Sequence, residues 1–118
     1  MNESQRSTHQ AFLGAWILIA VLLFFGWGWL GFGGGLVFGP FGAALCAVPI
    51  LGHAMAYRGQ SAGGGIVALA SVAALIPAFL TLPLGWYYHF VGVYPFVGLV
   101  WIAFLLSNVA TGMKTLKS

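Results

Sequence analysis

Between Arg6 and Arg58, and again between Arg58 and Lys114, the chain contains no aspartate, glutamate, lysine or arginine. A water-soluble domain carries about 25% charged residues, because its surface must be solvated. Here charged residues are 4% of 118 and hydrophobic ones 61%. Four cations, Arg6, Arg58, Lys114 and Lys117, and one anion, Glu3, cannot clothe a soluble surface. Four scattered cations are also no nucleic-acid footprint, which needs a clustered basic face. The solvent that suits such a chain is lipid, and the expected partners begin with membrane lipids.

A helix crosses the hydrocarbon layer with roughly 20 apolar residues. The sequence accordingly reads as an all-α, polytopic transmembrane bundle of four spans forming a single domain over residues 1–118. The spans are expected at about 11–32, 36–57, 62–82 and 86–111. Trp27, Trp29 and Phe32 close the first span and Trp86, Tyr87 and Tyr88 open the fourth, as aromatic residues do at the lipid–water interface. Gly33–Gly35 and Pro83–Gly85 mark uncharged turns, and Arg58-Gly59-Gln60-Ser61 a polar one. No small-x-small cleavage site follows the first apolar run, which is read as a retained span. With four spans and the N-terminus inside, every cation falls on the cytoplasmic face, as the positive-inside rule requires. The expected location is a bacterial cytoplasmic (inner) membrane, with both termini on its cytoplasmic side.

Helices in lipid associate through close contact of small residues. Gly31, Gly35, Gly39, Ala43 and Ala47 form one stripe spaced by four, and Ala70, Ala74 and Ala78 another. Both are expected to pack helices within the bundle or against a partner subunit. Asn108, an amide inside the fourth span, is expected to cross-link helices near the inner surface.

Chemistry-bearing residues are few. No ionisable acid or base other than histidine lies inside a span, so the residues for Ser-His-Asp or clustered-ligand catalysis are missing, and an enzyme is not expected. Small multidrug-resistance antiporters share the size and span count but depend on a membrane-embedded glutamate, for which Glu3 in the tail is no substitute. His53 and His89 are candidate ligands for a single haem or chlorophyll-type pigment. Their depths should differ by roughly 15 to 20 Å, too far apart to hold one iron between them. A capped histidine at the interface, one turn from Tyr57, is the plainer expectation for His53.

Residues 51–70, LGHAMAYRGQSAGGGIVALA, resemble the centre of a two-span bacterial membrane domain family of unknown function. In that family a Gly-His-x-Ala helix end is joined by a basic loop to a glycine-started apolar helix. The resemblance implies a hairpin with its loop on the cytoplasmic side, and no activity. The leading functional expectation is a small non-catalytic accessory or structural subunit, or an assembly factor, of a larger membrane protein complex. A self-assembling pore, holin-like or small transport protein is a second reading, and a haem- or pigment-binding subunit a third.

Overall fold

The structure, a computed structural model, describes residues 3–24, 43–88 and 94–117. These residues form four helices and no strands: α1 (Glu3–Phe24), α2 (Ala47–Tyr57), α3 (Ala62–Tyr88) and α4 (Tyr94–Lys117). The fold of the described residues is all-α. One stretch among them, Leu99–Lys117, is long and apolar enough to cross a membrane, and shorter apolar helical runs cover Ala43–Tyr57 and Ala62–Ile76.

The helix bounds differ from the expected spans in instructive ways. Helix α1 starts at Glu3 rather than Ala11, its acidic first residue suiting the positive end of the helix dipole. Helix α3 does not stop at residue 82; it continues through Pro83 and Gly85 to Tyr88, so Trp86-Tyr87-Tyr88 end the third helix instead of opening the fourth. A proline removes one backbone donor, and the remaining backbone groups can still bond within the helix. Helix α4 runs past Thr111 to Lys117, with Lys114 and Lys117 in its last turn complementing the dipole.

The turn between α2 and α3 is where sequence and structure agree most closely. The amides of Gly59 and Gln60 donate to the carbonyls of Ala56 and Met55, at 3.0 and 2.9 Å, the paired bonds of a Schellman motif. Gly59 has φ +91°, a conformation that a side chain would strain. The chain then re-enters helix at once, Gly63 and Gly64 donating to the carbonyls of Gln60 and Ser61.

Among the described residues, glycine sets how closely the helices meet. Gly52 of α2 faces Gly63 of α3, and Gly64 of α3 faces Gly112 of α4. A methyl on Gly63 would collide with the Gly52 carbonyl and the Ala56 amide; one on Gly112 would lie 2.5 Å from the Gly64 carbonyl and 2.9 Å from the Ala68 amide. Gly52-x-x-x-Ala56 and Gly64-x-x-x-Ala68 are therefore the small-residue pairs that let backbones touch. Of the expected stripes, Gly31, Gly35 and Gly39 lie outside the described residues. Ala47 is exposed, Ala43, Ala70 and Ala74 are half-buried, and Ala78 is buried in the core.

Helix α3 packs along α2 and α4, while α1 lies against α2 and meets α4 more briefly. The apolar core gathers Trp16, Cys46, Ala78, Trp101, Ile102 and Leu105. Outward faces carry large apolar side chains, among them Leu18, Leu69 and Ile76 at 59, 75 and 60% exposure.

Candidate functional site

At the end of the bundle where α1 begins, α2 and α3 are joined and α4 ends, five polar side chains are enclosed: His9, Trp16, His53, Asn108 and Thr115. Helical spacing brings them there. His9, Phe12 and Trp16 recur on one face of α1 at intervals of three and four, and Asn108, Gly112 and Thr115 do so on α4. His9, His53 and Asn108 have no exposed surface and Thr115 has 2%.

They form one continuous chain of hydrogen bonds. His9 Nδ1 lies 2.8 Å from His53 Nδ1, and His9 Nε2 lies 2.6 Å from Thr115 Oγ1. His53 Nε2 lies 2.7 Å from Asn108 Oδ1, to which Trp16 Nε1 also donates at 2.9 Å. Asn108 Nδ2 donates to the Phe104 carbonyl at 2.9 Å.

Elementary donor and acceptor rules fix the direction of the whole chain. An indole N–H only donates and a carbonyl only accepts, so Trp16 and Phe104 determine which end of the Asn108 amide is which. Because Asn108 Oδ1 accepts, His53 must carry its proton on Nε2. Its Nδ1 is then an acceptor when the ring is neutral, and His9 must donate to it from Nδ1. That leaves His9 Nε2 to accept from the Thr115 hydroxyl. These bonds are compatible with both imidazoles being neutral.

Aromatic rings wall the chain from solvent. Phe12 stacks on His53 with centroids 5.4 Å apart, Phe104 meets Phe12 edge-on at 5.6 Å, and Trp16 and Trp101 close the inner side. The charged groups nearby are all exposed. Arg6 lies over the Tyr57 ring at 5.6 Å, Arg58 ends α2, and Lys114 and Lys117 flank Thr115. Through these contacts the four cations share one end of the bundle. Burial pushes the pKa of His9 below the ordinary imidazole value, since its charged form would lose hydration.

His53 is thus buried among the helices and bonded to His9 and Asn108, while the Tyr57 ring carries Arg6. Neither nitrogen of His53 faces open space, so ligating haem or a pigment there would break its bond to His9 or Asn108. His89 lies outside the described residues. Among the described residues no three His, Cys, Asp or Glu side chains gather as metal ligands. Asn108 touches α1 through Trp16 and α2 through His53, and is the hub of the network. The residues that sequence reasoning missed are His9, Trp16 and Thr115. Ser71 is a separate feature: its hydroxyl is buried without a hydrogen-bond partner.

Comparison with protein-family models, curated proteins and solved structures finds no match to this chain, and the resemblance of residues 51–70 gains no support from it.

Proposed function

We propose that the protein is a four-span integral membrane protein with both ends on the cytoplasmic side, serving as a non-catalytic accessory subunit or assembly factor of a larger membrane protein complex. The observation that carries this reading is the division of polar and apolar groups. Side chains capable of chemistry bond inward to one another, while the outward faces present Leu18, Leu69, Ile76 and Phe79. Such faces are stable only against lipid or another apolar surface.

Helix lengths support the crossing. Helices α3 and α4 hold 27 and 24 residues. At about 1.5 Å per residue their axes measure roughly 40 and 36 Å, against a hydrocarbon layer of about 30 Å. The gathering of all four cations at one end supports the orientation, because that is the distribution insertion produces. The core favours a structural role over a pore: Trp16, Trp101 and Leu105 occupy the space among the helices with bulky side chains.

Native electrophoresis after extraction in mild detergent tests the assignment. The protein should migrate with partner subunits, and its deletion should deplete a membrane complex. A lone monomer whose loss leaves every complex intact would overturn it.

A further inference from the structure

We propose that the His9–His53 pair is a one-proton binding site that latches the amino-terminal segment of α1 to α2 and α4 when empty and releases it when filled. This goes beyond the accessory-subunit reading and does not depend on it.

The hydrogen-bond directions set the capacity. In the neutral network a single N–H lies between the two Nδ1 atoms, 2.8 Å apart. One additional proton has a place, on His9 Nε2, where the Thr115 hydroxyl can turn from donor to acceptor. A second has none: protonating His53 Nδ1 would set two N–H groups head to head and two cations in contact. The donor set suits a proton better than a metal ion. A zinc ion bound to both nitrogens at about 2.0 Å would need further ligands. The groups described around the pair are the Phe12 ring, the Thr115 hydroxyl and the Asn108 amide, and among the described residues no third histidine, thiol or carboxylate joins them.

The surroundings make the filled state unstable while the site is closed. From α1 the ionisable groups on this side are Glu3 and Arg6; from α2, Tyr57 and Arg58; from α4, Lys114 and Lys117. The adjoining part of α3, residues 62–71, contributes none. Glu3 is the only acidic side chain in the sequence and is exposed, so a buried imidazolium would have no buried anion beside it and four cations at its end of the bundle. A buried charge without a partner is relieved by hydration, which here requires the site to open. The element proposed to move is the start of α1. Its contacts at this end include the two bonds of His9, Arg6 on Tyr57 and Phe12 against His53, whereas α2, α3 and α4 are interlocked through glycine contacts.

The test uses the full-length protein in nanodiscs of zwitterionic lipid. Amide hydrogen exchange of residues 3–12, corrected for the intrinsic effect of pH, is followed from about pH 8 to about pH 5. Protection in the native chain should fall about tenfold or more on acidification, reversibly, while the α2–α3 hairpin stays protected. His9→Gln keeps an amide that can donate to His53 and accept from Thr115 but cannot be protonated, so it should stay protected throughout. His9→Ala should be open at both ends of the range. Spectra of protein carrying nitrogen-labelled histidine supply a second readout, which should show one proton taken up by the pair. Equal protection of the native chain at both extremes, an unchanged pH response in His9→Gln, uptake of two protons by the pair, or a stoichiometric metal ion in the purified protein would each overturn the proposal.

Discussion

Asn108 illustrates how much a single side chain settles here. Its amide oxygen receives the Trp16 indole and the His53 imidazole, and its nitrogen reaches the Phe104 carbonyl. Asn108→Leu preserves volume but strands two buried donors, and a donor left without its acceptor costs about 1–3 kcal/mol. Thermal unfolding in detergent should show this loss, and an unchanged midpoint would contradict the network. His9 adds a pH dependence whose sign follows from burial. Its folded-state pKa is lowered from 6.5, so on the acid side the unfolded chain binds more protons than the folded one. Stability is therefore complete above about pH 6.5 and declines as pH falls through that value toward the lowered one. His9→Gln should make that decline of the unfolding midpoint shallower. His9 escaped the sequence reading because residues before Ala11 looked like a solvated tail. The signal was its spacing with Phe12 and Trp16, legible only once the helix is carried back to Glu3.

At the scale of elements, the polar turn at residues 58–61 was legible because Arg58-Gly59-Gln60-Ser61 combines a left-handed glycine position with the only charge between Arg6 and Lys114. Where α3 and α4 end was not, for both helices run on past residues 82 and 111, where their apolar runs were expected to close. The contact faces show the same limit. Counting small residues four apart finds stripes, but which stripe touches a neighbour depends on the rotation of each helix; among the described residues, the pairs Gly52–Gly63 and Gly64–Gly112 bring backbones together. Gly112→Ala should destabilise the α3–α4 contact, since overpacking costs about 1–3 kcal/mol. Gly14→Ala is the control: a methyl there meets nothing within 4 Å, and the better helix former should be neutral or add up to about 1 kcal/mol. If both substitutions shift the unfolding midpoint alike, the glycine contacts do not govern packing.

For the whole molecule, the sparse charge of the sequence made the helical class legible, but not the network that joins α1, α2 and α4. That network draws on positions 9, 16, 53, 108 and 115, and one sequence does not reveal which turns of distant helices share a level. The proposed threading predicts that reporters in the residue 58–61 loop and after Lys117 are shielded or accessible together. Protease protection of right-side-out and inverted vesicles measures this, and opposite outcomes for the two sites would exclude an N-in, C-in four-span arrangement. The short joint between α2 and α3 also bears on biogenesis. Its glycine contacts link residues near one another in the chain, so loop closure there is cheap. The hairpin can zip together while the ribosome is still adding the last helix, and that helix then arrives at a prepared docking face, supplying Asn108 and Thr115 to histidines already waiting for them.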